Sequence, residues 1–225
     1  MTQTFDSLVQ KIHRGASPYA GFSFAGWPQE RGPNWDADHP WFTEAIEELH
    51  PQIIIEVGSF LGRSAINMGR QLKRLNLDSA IVCVDTFLGD DLLWESEWRP
   101  QLHFRNGRPE FYNLFLRNVI ETGMADVIVP LPIASPAAAR LLKRLGVQAQ
   151  MVYLDGSHAR GDVARDIEMY WRLLTPGSIM LLDDYENKTI NSAVADDLLD
   201  FVGHWPPSET PIEINGLKAR IRKPR

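Results

Sequence analysis

The strongest constraint on the fold is a regular alternation of short apolar runs with longer segments that carry apolar residues at helical spacing. The runs are rich in β-branched residues and end near a glycine or an acid, which is typical of strands buried in a parallel sheet. Five runs are of this kind: residues 53–57, 81–84, 127–131, 151–154 and 178–182. The clearest amphipathic helix is marked by Val163, Ile167, Tyr170, Trp171 and Leu174. This order predicts an α/β fold, a doubly wound and mostly parallel sheet with helices on both faces.

The two ends of the chain depart from this alternation. Residues 1–36 hold glycines, prolines and aromatic residues without a clear period, so we predict an irregular arm. Such an arm could act as a lid or contact a second copy in a homo-oligomer. Residues 37–225 form the predicted main domain. Near its end, short strands around residues 212–214 and 217–221 are predicted to pair as an antiparallel hairpin across Asn215-Gly216.

Charge and cysteine content exclude several classes of protein. The chain of 225 residues has a formal net charge of −6, so we predict no nucleic-acid partner. Its single cysteine, Cys83, lies in an apolar run and fits a buried thiol in a reducing compartment. No stretch approaches the ~20 apolar residues of a membrane span, and the first residues lack a signal-peptide pattern. We therefore predict a cytoplasmic protein without a membrane partner.

The last strand and the tail are basic. Five cations fall there: Lys218, Arg220, Arg222, Lys223 and Arg225. We interpret them as a solvated strand and tail, and the alternative is a binding patch.

Ligands of such sheets bind at the carboxyl ends of the strands, so the residues that follow each strand are the candidates for a site. After the first strand, Glu56 precedes Gly58, and Gly62 opens the next helix, which lets a ligand approach the backbone closely. The pattern lacks the three glycines of a dinucleotide site. The acid suits a ligand with an ammonium group and no phosphate, such as S-adenosylmethionine (SAM). The alternative is a glycine turn that binds nothing.

The second strand ends at Asp85. A carboxylate at this place can accept hydrogen bonds from the hydroxyls of a ribose. The alternative is a cap for the segment that follows. Because the glycine turn and Asp85 fall on the same edge of the sheet, together they favour a nucleoside ligand.

Three further acids follow two neighbouring strands. Asp155 ends one strand, and Asp183 and Asp184 end the next. Carboxylates at adjacent strand ends repel one another unless a cation or a proton relieves them. A hard divalent cation such as Mg²⁺ does this with oxygen ligands, and we predict a metal site here. The alternative is that one aspartate caps a helix and the other is solvated.

His158 lies three residues beyond Asp155. An imidazole titrates near neutrality, so it can remove a proton from a hydroxyl that a metal has acidified. It could instead be a metal ligand or an ordinary loop histidine. We predict that His158 is the catalytic base, with Asp155 beside it.

Together these motifs resemble the class I SAM-dependent methyltransferases of the small-molecule O-methyltransferase group, particularly macrocin and mycinamicin O-methyltransferases. The matching stretches are residues 55–64, 84–90, 153–158 and 163–185. Catechol-type O-methyltransferases are similar in plan. Where the family commonly has Pro-Gly-Gly, this chain has Pro176-Gly177-Ser178. The arm matches nothing in the family, so the acceptor stays open.

The resemblance implies a cofactor role for each matching residue. Gly58 would approach the methionine part of SAM, and Ser64 would contact its carboxylate. Asp85 would hold the ribose hydroxyls, and Ser135 would lie near adenine. The other cofactor-binding residues on this interpretation are Glu56, Ser59, Gly62, Thr86 and Asp155.

The resemblance also implies the chemistry. Asp155, Asp183 and Asp184 would bind Mg²⁺ or another divalent cation, and His158 would be the general base. The substrate would be a small molecule with a hydroxyl group, such as a sugar or a phenol. Three alternatives remain: a hydroxylase-type relative, a protein that binds SAM without turnover, and an NAD-dependent oxidoreductase. The missing third glycine disfavours the last of these.

Overall fold

The computed structural model describes residues 2–30, 32, 35–204 and 210–225. Residues 1, 31, 33 and 34 of the predicted arm therefore lie outside the described residues. The described residues form a seven-stranded sheet with the order β3-β2-β1-β4-β5-β7-β6. The strands are β1 (Ile53–Val57), β2 (Ala80–Val84), β3 (Ile128–Leu131), β4 (Ala149–Leu154), β5 (Leu174–Leu182), β6 (Glu213–Asn215) and β7 (Lys218–Arg222). The first five run parallel and the last two antiparallel, so the predicted fold is confirmed.

Helices cover both faces of the sheet and divide the core into two layers. The helices are α1 (Gln3–His13), α2 (Pro40–Leu49), α3 (Arg63–Arg74), α4 (Asp91–Glu95), α5 (Tyr112–Glu121), α6 (Ser135–Arg144), α7 (Asp162–Trp171) and α8 (Val194–Val202), with a short 3₁₀ turn at Arg99–Leu102. One layer packs α1, α6, α7 and α8 against the sheet, and the other packs α2, α3 and α5. Side chains alternate along a strand, so Ile55 and Val57 enter the first layer and Ile54 the second.

The prediction of an irregular arm is wrong for its first part. Helix α1 begins two residues into the chain, and Thr2 caps it by accepting from the backbone N–H of Phe5. Phe5, Leu8 and Val9 are buried in the core. Their spacing is that of one helical face, but the glycines and prolines later in the arm obscured it.

The rest of the arm covers the edge strand β3. The Nε2 atom of His13 lies 2.8 Å from the carbonyl oxygen of Pro130, and the hydroxyl of Tyr19 donates to the carbonyl of Ile128 at 2.7 Å. An open strand edge invites pairing with another chain, and side chains from α1 and the arm block it here.

The C-terminal hairpin is confirmed, but two assignments within it are wrong. Strands β6 and β7 pair as an antiparallel hairpin, but the predicted turn at Asn215-Gly216 is wrong by one residue: Asn215 ends β6 and pairs with Lys218, so Gly216-Leu217 form the turn. Lys218, expected on a solvated strand, is instead fully buried. Its neighbour Ala219 pairs with Leu182 of β5, which brings Lys218 beside the end of that strand.

Within the described ranges, the structure has no helix with the length and apolar character needed to cross a membrane.

Candidate functional site

A cavity of about 420 Å³ opens at the carboxyl ends of the parallel strands. This is within the range of small-molecule sites. Its lining includes most of the residues predicted to bind a cofactor: Gly58, Ser59, Ser64, Asp85, Thr86, Ser135 and Asp155. Trp35 from the arm and Phe60 complete one wall, and their rings stack with centroids 5.6 Å apart.

Gly58 is required where β1 meets β4. Its φ is +83°, a conformation that favours glycine. A Cβ atom at this position would lie 1.8 Å from the carbonyl oxygen of Asp155. The sequence predicted a glycine that admits a ligand, and the structure adds that the neighbouring backbone already needs the space. Gly62, also at positive φ, begins α3, and a Cβ there would meet the ring of Phe115 at 3.0 Å.

Glu56 of β1 anchors the two serines of the glycine turn. The carboxylate is fully buried and accepts hydrogen bonds from Ser59 at 2.6 Å, from Ser64 at 2.5 Å and from the thiol of Cys83 at 3.4 Å. Burial raises the pKa of Glu56 although these hydrogen bonds oppose the change. Among the described residues that line the cavity, Glu56 does not appear. Its contacts therefore position Ser59 and Ser64, while a direct contact with a cofactor stays a prediction.

Asp85 ties the ends of β1 and β2 together. Its Oδ2 atom accepts from the backbone N–H groups of Ser59 and Phe60, both at 2.9 Å, and Oδ1 accepts from that of Phe87 at 2.7 Å. Burial raises its pKa, and these backbone hydrogen bonds oppose the rise. A carboxylate has about four acceptor positions, so one remains for a ribose hydroxyl. Thr86 beside it is exposed at the cavity mouth.

The cavity lining includes an acid that sequence reasoning missed. Asp166 of α7 accepts a hydrogen bond from the hydroxyl of Ser135 through Oδ1, and both residues line the cavity. Tyr170 donates to the carbonyl of Ser135 at 3.0 Å. Burial raises the pKa of Asp166 to about 6. The available signal was its place between Val163 and Ile167, on the buried face of an amphipathic helix.

Three of the predicted reactive residues come together at the ends of β4 and β5. Asp155, His158 and Asp184 each offer an atom, and these atoms lie within 4.8 Å of one another. The Nε2 atom of His158 is 2.8 Å from Oδ2 of Asp184 and 4.0 Å from Oδ1 of Asp155. Both ring nitrogens are buried without an aligned hydrogen bond to any described residue.

The surroundings shift the pKa values of two acids in this cluster in opposite directions. Burial and the nearby Asp183 raise the pKa of Asp155 well above its ordinary value. Burial also opposes ionisation of Asp184, but contacts with His158 and Asn187 outweigh it and lower its pKa. These surroundings therefore favour the ionised form of Asp184 and oppose ionisation of Asp155.

Asp183, predicted to bind a metal with its neighbour, faces another partner. Its Oδ2 atom accepts from the ammonium of Lys218 at 2.6 Å and from the hydroxyl of Tyr153 at 2.5 Å. The Tyr153 hydroxyl also lies 3.0 Å from Oδ2 of Asp155. Because the side chains of Asp183 and Asp184 leave the strand end in different directions, the structure separates them. Lys218 was missed because a lysine after an Asn-Gly turn is typical of an exposed hairpin.

Comparison with known proteins identifies related sequences and folds. A family model described as a methyltransferase domain matches residues 55–185, more than half of the chain. No curated protein matches the chain by sequence.

Solved structures share the fold at low identity. The O-methyltransferase from Bacillus cereus in complex with SAH has a TM-score of 0.59 at 11% identity, over 99% of this chain and 92% of that chain. The O-methyltransferase TomG from Streptomyces achromogenes, involved in tomaymycin synthesis and solved with SAM, has a TM-score of 0.60 at 14% identity, over 99% and 91%. The SAH-bound methyltransferase PaMTH1 from Podospora anserina has a TM-score of 0.59 at 15% identity, over 98% of this chain and 88% of that chain.

Proposed function

Since the chain belongs to the methyltransferase-domain family, we propose that it is a SAM-dependent O-methyltransferase that acts on a hydroxyl group of a small molecule. One observation carries the proposal. Asp155 belongs both to the cluster with His158 and Asp184 and to the lining of the cavity that holds the glycine turn and Asp85, so the proposed base and the nucleoside site are neighbours through this residue. A closer relation to macrocin and mycinamicin O-methyltransferases stays a prediction.

The ends of β1 and β2 would bind the cofactor. When bound, SAM supplies an electrophilic methyl group on its sulfonium. Asp85 has one acceptor position left for a ribose hydroxyl. Ser59 and Ser64, whose hydroxyls donate to Glu56, line the cavity where the methionine part would lie. These hydrogen bonds exist before the cofactor arrives, so little ordering entropy would be lost on binding.

The donor set at the ends of β4 and β5 fits a divalent cation. Asp155 and Asp184 offer carboxylate oxygens, which suit Mg²⁺ and Mn²⁺. Asp183 is already compensated by Lys218, so we assign the metal to Asp155 and Asp184. A bound cation would lower the pKa of an acceptor hydroxyl.

His158 would remove the acceptor's proton. Its side chain is only 13% exposed, and Nε2 lies 2.8 Å from the carboxylate of Asp184, so the ring proton of the neutral imidazole belongs on Nε2. Nδ1 has no partner among the described residues and keeps the lone pair. Asp184 would stabilise the imidazolium that forms. A positioned base of this kind contributes about 10²–10⁴-fold to a rate.

The test is turnover with SAM that carries a deuterated methyl group, on panels of phenols, catechols and sugars, with and without a chelator. We expect a product that gains the labelled methyl group. The variant His158→Gln should lose about 10²–10⁴-fold in kcat and keep its Mn²⁺ affinity. The exposed His204→Gln serves as the matched control.

Other outcomes distinguish the alternatives. Gain of an oxygen atom instead of a methyl group would identify a hydroxylase. Tight cofactor binding without any product would indicate a binding protein. Loss of Mn²⁺ affinity in His158→Gln would make this residue a metal ligand and would contradict its role as the base.

A further inference from the structure

We propose that Asp166 reads the base of the bound nucleoside, by accepting a hydrogen bond from the exocyclic amino group of adenine. The site would then select a purine with an amino group over one with a carbonyl group at the same position. This inference rests on the proposed function, because it assumes that the cavity binds an adenosyl cofactor.

The first observation is the unequal use of the two oxygens of Asp166. The residue is 8% exposed, so its carboxylate has little contact with solvent. Oδ1 accepts from Ser135, whereas Oδ2 has no hydrogen-bond donor among the described residues. Oδ2 is not fully enclosed by the described residues. Asp166 lines the main cavity and also a cavity of about 10 Å³ beside His158, which is too small for a ligand, so the main cavity is where a ligand can meet this oxygen.

The second observation is the order of the strand ends along the rim. From one side to the other, the sheet order places β5, β4, β1, β2 and β3. The reactive cluster follows β4 and β5, Gly58 follows β1, Asp85 follows β2, and Ser135 follows β3. The methyl group must lie near the cluster and the ribose near Asp85. The base is therefore left with the end at Ser135, and the hydrogen bond from Ser135 brings Asp166 of α7 to this place.

The third observation is the chemistry of the pair at that end. Ser135 uses its hydroxyl proton on Asp166, and Tyr170 occupies the carbonyl of Ser135. What this end offers a ligand is thus an acceptor, the second carboxylate oxygen. An amino group would donate to this oxygen and satisfy it. A carbonyl oxygen in the same place would face a carboxylate and be repelled.

The experiment compares S-adenosylhomocysteine (SAH) with S-inosylhomocysteine, in which a carbonyl replaces the adenine amino group, by calorimetric titration of the wild-type protein and Asp166→Asn. We expect the wild type to bind SAH at least about tenfold more tightly, which is 1.4 kcal/mol. In Asp166→Asn the amide can donate to the carbonyl, so the preference should shrink or reverse. Glu168→Gln, on the exposed side of the same helix, is the control and should keep the preference.

The outcomes separate this inference from the proposed function. Equal wild-type affinity for the two compounds would overturn the role of Asp166 and leave the proposed function standing. An unchanged preference in Asp166→Asn would overturn it as well. Failure of SAH to bind the wild type would overturn the proposed function itself. The wild-type comparison needs no variant, so it is decisive even if Asp166→Asn folds poorly.

Discussion

Two neighbouring parts of the sheet edge carry buried acids and differ in how far the protein supplies hydrogen-bond donors and opposite charge to them. At the ends of β1 and β2, which we call the frame, protein donors surround Glu56 and Asp85. At the ends of β4 and β5, which we call the cluster, Asp155 is left with excess negative charge around it and His158 lacks an aligned partner.

The difference separates a region whose acids are satisfied by the chain itself from a region with polar groups that the described residues leave unsatisfied. Buried polar groups are normally satisfied, and the frame follows this rule with its own serines and backbone. The cluster breaks the rule, and such exceptions concentrate where chemistry is done. We therefore expect changes in the frame to act on folding and cofactor affinity, and changes in the cluster to act on metal affinity and turnover.

The largest effect is expected from Gly58→Ala, since this residue joins the two parts. The new Cβ would clash with the backbone of Asp155, so β1 and β4 must separate. We expect the free energy of unfolding, measured in urea, to fall by more than about 4 kcal/mol, with loss of SAH binding. Gly161→Ala has a similar φ of +84° and open space around it, so it isolates the backbone strain and should cost about 1–2 kcal/mol. Similar losses in both variants would show that the clash does not matter.

The next effect is expected from Lys218→Met behind the cluster. Removing the ammonium leaves Asp183 buried without its cation, which should cost about 3–5 kcal/mol of unfolding free energy. Adding Asp183→Asn to Lys218→Met removes the stranded charge and should restore much of the loss. If the double variant were no more stable than the single one, charge compensation would not be the role of Lys218.

A smaller effect is expected from Asp85→Asn in the frame. The amide cannot replace the carboxylate for all three backbone donors, so we expect SAH affinity to fall by about tenfold or more. Mn²⁺ affinity, measured in the same calorimetric series, should not change. A parallel loss of metal binding would mean that the frame and the cluster are one unit.

The smallest effect is a pH dependence of SAH affinity. Burial raises the pKa of Asp166 to about 6. The groups that face it are Ser135 and Tyr170, with Asp162 raising its pKa and Arg165 lowering it. Its carboxylate is ionised at pH 7 and protonated as pH falls through 6, so affinity should weaken by up to about tenfold at pH 5. Asp166→Asn should remove this dependence, and a profile that is the same in both proteins would contradict the prediction.

The residues of the frame could be predicted from the sequence. The ion pair of Lys218 with Asp183, beside the cluster, could not. Buried parallel strands are recognisable in the sequence as apolar runs, and the residues that follow them meet at one edge of the sheet. Gly58, Asp85 and Asp155 could therefore be predicted to lie at that edge. Contacts from distant parts of the chain have no such signal. The pairing of Lys218 with Asp183 depends on the register of a terminal hairpin, and that register gives Asp183 a cation from the chain itself.

Helix α1 and Asp166 show two other limits. The apolar face of α1 was present in the sequence but short and followed by a region rich in turns. Asp166 lies on the buried face of α7, where the apolar pattern of the helix gives no indication that an acid has a function. Only the contact with Ser135, contributed by the preceding helix, shows that this acid belongs to the cavity.

The most direct test of the account is a calorimetric titration of the wild type and Asp184→Asn, first with SAH and then with Mn²⁺. The account predicts that both proteins bind SAH with the same affinity. Mn²⁺ should bind the wild type and should not bind Asp184→Asn. If SAH failed to bind the wild type, or if Asp184→Asn lost SAH and metal together, the division into a cofactor frame and a reactive cluster would be wrong.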